Sequence, residues 1–163
     1  YHYETPVTEQ DVLDAMYAVG DQDKIKSQGF SLLDMKRYLD SLGLKADGFQ
    51  INLQKIRGAG IPGIVLINTN GYLHFVVVKG VNEKHVLLGD PALGTRKVSH
   101  EEFNKMWNNV FFIVRNKAQL ARKSFTDNNE WSGRRKTLFN SALSSETLSS
   151  FSVHTSVTPN VYY

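Results

Sequence analysis

Two residues in the sequence are of types that do chemistry together. His74 lies inside the apolar run Gly71-Tyr72-Leu73-His74-Phe75-Val76-Val77-Val78, and Asp90 closes Leu88-Gly89-Asp90-Pro91. A carboxylate beside an imidazole fixes its tautomer and stabilises its protonated form, which is the second half of a nucleophile–base–orienter triad. A hairpin turning at Asn82 sets the two directly across from each other on one face, with Cβ atoms about 5 Å apart. An imidazole on an apolar strand needs such a partner, because burying it unpaired is costly. Glu83 falls at the hairpin tip and Asp47 precedes the sheet, which leaves Asp90 as the acidic residue in register. The same spacing also fits a buried histidine paired with a turn aspartate, with no chemistry attached.

Other constellations fall away. The 163 residues contain no cysteine. This excludes a disulfide framework, a thiolate zinc site and a cysteine nucleophile within this stretch. Gly58-Ala59-Gly60 lacks the Gly-Lys-Ser/Thr of a phosphate loop. His100-Glu101 is followed by Asn104 where a zinc peptidase needs a second histidine. His2, His85, His100 and His154 show no ligand spacing, so neither metal nor cofactor is expected. His85, near a strand start, and His100, in a helix first turn, sit where water reaches them and are read as non-catalytic. The net charge is +3, but residues 1–115 carry thirteen basic and thirteen acidic side chains, and the excess falls in residues 116–163. A neutral body argues against a nucleic-acid partner, and Arg134-Arg135-Lys136 reads as a solvated cluster. No apolar run is long enough to span a membrane.

The elements that must place His74 and Asp90 are legible from patterning. Thr8 with Asp11, and Ser31 with Asp34, resemble capping boxes. Each opens an apolar stripe of helical spacing, closed by Gly20 and Gly43 in turn. Asn52 caps one more short turn. Residues 61–67 read as a strand, Asn68-Thr69-Asn70-Gly71 as a turn, and residues 72–79 as a central strand. Residues 85–88 form a third strand, and Asp90-Pro91-Ala92-Leu93-Gly94 a loop. Ser99-His100-Glu101-Glu102 opens a helix to Trp107, and residues 110–115 make a last strand. Helices first, then a meandering sheet, predict an α+β fold. Residues 118–123 are of helical type. Between 140 and 163, ten of twenty-four residues are Ser or Thr. That composition predicts a mobile or partner-ordered end to a basic, then Ser/Thr-rich extension that starts at residue 116.

The order of these blocks resembles a known family. Gly29-Phe30-Ser31-Leu32, Gly43-Leu44-Lys45-Ala46, Ile61-Pro62-Gly63-Ile64-Val65, His74-Phe75-Val76-Val77 and Asp90-Pro91-Ala92-Leu93-Gly94, then Phe103 and Trp107, follow as they do in C39 peptidases. These are papain-like cysteine peptidases that trim double-glycine leader peptides during export. The resemblance covers roughly residues 7–114. It implies a papain-like α+β fold, a peptidase domain over residues 1–115, His74 as general base and Asp90 as its orienter. It also implies a nucleophilic cysteine and an oxyanion-hole glutamine on a helix before Tyr1; Gln10 and Gln22 precede no cysteine and inherit no such role. The chain begins without methionine and Tyr1-His2-Tyr3 resembles the end of that helix. The expectation is therefore a fragment of a longer peptidase, itself inactive, whose uncovered sheet face promotes self-association. The alternative is a family member that binds an export substrate without cleaving it. Free-standing members usually work in the periplasm, one of them in functional-amyloid export. That implies a periplasmic protein acting on a protein or peptide substrate of a secretion system, with a cytoplasmic, transporter-associated setting as the alternative.

Overall fold

The computed structural model describes residues 3–126 and 128–131. The polypeptide opens with three helices, α1 (Glu9–Val19), α2 (Gln22–Gln28) and α3 (Leu32–Ser41). Both expected capping boxes are formed. Thr8 and Ser31 each accept from the third helical N–H, and Asp11 and Asp34 return a bond to the cap backbone. Strand β1 (Ala46–Gln50) and helix α4 (Leu53–Ala59) follow, the latter capped by Asn52. Then come β2 (Gly63–Thr69), β3 (Tyr72–Val81), β4 (His85–Asp90), β5 (Gly94–Ser99), α5 (His100–Met106) and β6 (Val110–Val114). Two short helices end the described chain, α6 (Ala118–Arg122) and α7 (Asn128–Trp131). Of the extension expected over residues 116–163, residue 127 and residues 132–163, with the Ser/Thr-rich end at 140–163, lie outside the described residues.

The six strands form one antiparallel sheet in the order β1-β6-β2-β3-β4-β5. This is the expected α+β architecture. Adjacent strand residues face opposite ways, so Phe111 and Phe112 mark two faces. Phe111 belongs to the main core with Ile56, Val65, Ile67, Val76, Leu88, Phe103 and Trp107. Phe112 belongs to a second cluster with Leu44, Ala46 and Val114, against which Leu39 of α3 packs. Beyond β6 the polypeptide keeps packing on this body. Ala121 is fully buried, Phe125 lies on the main core, and the Glu130 carboxylate takes a hydrogen bond from Lys79 Nζ.

Two local features set the site. The β2–β3 turn places Asn70 and Gly71 at φ 55° and 90°. Two positive φ angles in a two-residue loop match the right-handed twist of the strands. The β3–β4 connection is longer than the tight turn at Asn82 that the sequence suggests. Residues 82–84 form the loop, with Asn82 Oδ1 accepting from the Lys84 and His85 N–H groups. Val81 then pairs with Val86 and Gly80 with Leu87. That frame differs from the expected one by an odd number of residues and would by itself turn Asp90 away from His74. A β-bulge at Lys79 inserts one residue into β3, after which Val78 pairs with Leu88 and Val77 with Gly89. The face is restored, and Asp90 comes level with Val76 rather than His74, a diagonal neighbour instead of a direct one.

Candidate active site

His74 is carried by the middle of β3, paired across to Ile67 of β2. Ile67 in turn bridges to Trp107 at the end of α5. The rings of Tyr72 and His74, two residues apart on one face, lie 5.1 Å apart between centroids at 34°. His74 is 8% exposed and Asp90 3%, and the Asp90 side chain itself has no exposure.

The diagonal placement still brings the two side chains together. His74 Nε2 lies 3.1 Å from Asp90 Oδ2. An ionised carboxylate only accepts, so the proton of this bond sits on Nε2. The other carboxylate oxygen, Oδ1, accepts from the N–H groups of Ala92 at 2.9 Å and Leu93 at 3.2 Å. This turn is why an aspartate ends β4: its short side chain reaches back to the backbone two and three residues on. Arg96 of β5 brings Nε to 3.4 Å from Oδ2. Burial pushes the Asp90 carboxyl up. The hydrogen bond and charge of His74 and the Ala92 and Leu93 N–H groups outweigh it and hold the carboxyl below its ordinary value.

The remaining imidazole nitrogen is the informative atom. His74 Nδ1 is buried and has no hydrogen-bond partner among the described residues. With the proton held on Nε2 by Asp90, Nδ1 carries a lone pair. A buried acceptor left free on the far side of a ring clamped by a carboxylate can take a proton from a group brought against it. Asp90 keeps the ring in that tautomer and stabilises the cation that results.

Of the other histidines, His85 and His100 gather at the opposite end of β4. His85 N–H donates to Asn82 Oδ1, and His100 Nε2 lies 3.0 Å from Asn82 O. Neither approaches the His74–Asp90 pair. His2 and His154 lie outside the described residues. Arg96 was not a candidate on sequence grounds. Its strand, Gly-Thr-Arg-Lys-Val-Ser, has no apolar alternation, and only the pairing of Leu88 with Arg96 and Asp90 with Gly94 places it beside the carboxylate.

Comparison with known proteins bears on this arrangement. The model of the peptidase C39 family matches residues 15–119. The chain is 43% identical over 112 residues to the probable functional amyloid protease FapD of Pseudomonas aeruginosa, and 41% identical over 112 residues to the protein of that name from Pseudomonas fluorescens. Each alignment covers 69% of this chain and 50% of the relative, so the chain spans about half the length of these curated relatives. Among solved structures, a double glycine motif protease from an AMS/PCAT transporter, in complex with the leader peptide, is similar at 30% identity and TM-score 0.50. The match covers 64% of this chain and 68% of that one. The peptidase domain of Streptococcus ComA, a bi-functional ABC transporter involved in a quorum-sensing pathway, matches with TM-score 0.56 over 69% of this chain and 81% of that one. At 18% identity that likeness speaks to the fold.

Proposed function

The chain belongs to the peptidase C39 family, and on that premise we propose that it is the base-and-orienter portion of a cysteine peptidase acting on an exported protein or its leader. The observation that carries this reading is the free, buried Nδ1 of His74 opposite an Nε2 clamped by Asp90. In the proposed reaction a thiol held against Nδ1 gives its proton to His74 and attacks the scissile carbonyl. His74 then delivers the proton to the leaving amine, while Asp90 stays ionised and fixes the ring. The thiol belongs to a cysteine outside these 163 residues, which contain none. Its setting in this reading is that of the family's free-standing members, a periplasmic enzyme of a secretion system. Exposed Tyr72 and Leu93, which are 40% and 67% accessible beside His74 and Asp90, support apolar contact there with a substrate or with a second copy of the chain.

One observation favours a second reading. These 163 residues contain no cysteine, and in that reading the protein binds an export substrate beside His74 and releases it uncut. Peptide cleavage separates the two. The 163-residue chain should cut no Gly-Gly-containing peptide. The protein extended upstream of Tyr1 through a cysteine should cut it, and alkylation of that thiol should abolish the activity. An extended, cysteine-bearing protein that binds the peptide and leaves it intact overturns the peptidase reading and establishes the binding one.

A further inference from the structure

The guanidinium of Arg96 has no role in the scheme above, yet it is turned toward the site. Leu88 pairs with Arg96, so Arg96 shares the face of Leu88 and Asp90 and lies one diagonal step from the carboxylate. Its Nε is 3.4 Å from Asp90 Oδ2, the same oxygen that accepts from His74. Nε and Nη2 are both buried and make no hydrogen bond among the described residues. These two nitrogens form the side-on edge of the guanidinium. A buried cationic edge without hydrogen bonds is tolerated only where an opposite charge lies against it. Here that charge is Asp90.

We propose that Arg96 is a positioning residue that acts on His74 through Asp90. Four contacts share the two carboxylate oxygens. The Ala92 and Leu93 N–H groups hold Oδ1, which fixes the plane of the carboxylate from one side. Arg96 sits against Oδ2 from the β5 side and leaves its directional lone pair to His74. This matters most after proton transfer, when a buried imidazolium faces a buried carboxylate. In so dry a setting the proton tends to pass on to the carboxylate and neutralise both. A fixed positive charge on Oδ2 opposes that step and keeps Asp90 as the anion that steadies His74. The titratable and charged groups placed around His74 are Asp90 from β4, Arg96 from β5 and the Tyr72 phenol from β3; Ile67 and Trp107 bring no charge. The catalytic consequence rests on the peptidase reading, whereas the effect on the hydrogen bond does not.

The two are separated by using both proteins. In the 163-residue chain, Arg96→Gln should broaden or remove the downfield imidazole N–H signal of His74 that reports the bond to Asp90. Arg96→Lys should largely keep it, and Lys105→Gln, in an exposed pair with Glu101, should leave it untouched. In the extended, cysteine-bearing protein, Arg96→Gln should lower kcat about tenfold with KM unchanged. Added to Asp90→Asn it should cost nothing further, because both act through one carboxylate. An unchanged His74 signal in Arg96→Gln, or a loss that multiplies with that of Asp90→Asn, overturns the proposal. If Arg96→Gln does not fold, Arg96→Met keeps the apolar stem and decides by the same signal. A parent protein without peptidase activity removes the peptidase reading and leaves the signal to decide whether Arg96 positions the pair.

Discussion

Exchanging Asp90 for asparagine tests the site through a single atom. The Ala92 and Leu93 N–H groups, at 2.9 and 3.2 Å from Oδ1, need an acceptor. They therefore fix the amide with its oxygen toward the turn and its NH₂ where Oδ2 stood. That NH₂ now faces His74 Nε2, formerly a donor at 3.1 Å. Two donors cannot share the bond, so the imidazole proton moves to Nδ1 and Nε2 accepts instead. The ring keeps its place but presents a proton where it presented a lone pair. The proposed activity of the cysteine-bearing protein should then fall by roughly three to four powers of ten, the scale on which a wrong tautomer disables such a pair. The fold loses less. A charge-assisted bond becomes a neutral one of about half its strength, and Arg96 Nε, at 3.4 Å, meets a donor in place of an anion. Together these cost about 2 kcal/mol. Nitrogen-15 shifts of the His74 ring in the 163-residue chain report the tautomer, and urea unfolding at neutral pH reports the stability. An Asp90→Asn chain that is folded and still carries its proton on Nε2 refutes the reasoning, because the turn would not then dictate which way the amide points.

Acid should weaken the fold through the same residue. The Asp90 carboxyl is held below its ordinary value of 3.8, the rise from burial being outweighed by the His74 bond and the turn N–H groups. Its contribution is therefore complete above the ordinary aspartate range and is lost as pH falls through the lowered native value; urea midpoints taken from pH 6 downward should fall less steeply in Asp90→Asn. Gly63→Ala should destabilise by about 3 kcal/mol in thermal unfolding, since an added Cβ lands 2.5 Å from the Phe111 ring and 2.8 Å from Ile113 Cγ2. Gly58→Ala, inside α4 with nothing within 4 Å of the new carbon, should instead stabilise by about 0.5–1 kcal/mol. Lys79→Met strips the buried Glu130 carboxylate of its ammonium partner and should cost about 3 kcal/mol, most of which Glu130→Leu in the same chain should restore; additive losses in denaturant unfolding argue that the pair carries no coupling.

How far the fold could be read depended on where each strand lies in the sheet. The inner strands β2, β3, β4 and β6 are rich in Val, Ile, Leu and Phe, because each is paired on both sides and packed on its faces. That burial writes itself into the residue types. The two edges carry no such signature. Strand β1 is Ala-Asp-Gly-Phe-Gln and β5 is Gly-Thr-Arg-Lys-Val-Ser. Charged, polar edge strands protect a sheet from pairing with other chains, and their conformation comes from the neighbour's hydrogen bonds rather than from their own patterning. Arg96 was out of reach for the same reason, since only a strand's partner says what its side chains meet. Helix α2 escaped notice because its seven residues are too few to show a stripe, and a single side chain, Ile25, anchors it.

The contact between His74 and Asp90 shows how a local rule can reach the right pair with the wrong register. Facing across a hairpin depends on parity as well as on distance: a slip of one residue reverses the face, and a slip of two keeps it. The three-residue loop at 82–84 sets the frame off by an odd count, and the bulge at Lys79 makes the total even again. The loop and the bulge are therefore a matched pair. Shortening the loop by one residue while keeping the bulge, or removing the bulge while keeping the loop, should carry Asp90 to the far face and leave His74 without its carboxylate. Lys79 is held where this matters, with its backbone carbonyl accepting from Thr126 N–H at 2.9 Å and its ammonium on Glu130. The segment after β6 thus grips the sheet at the one residue whose insertion decides which face Asp90 shares.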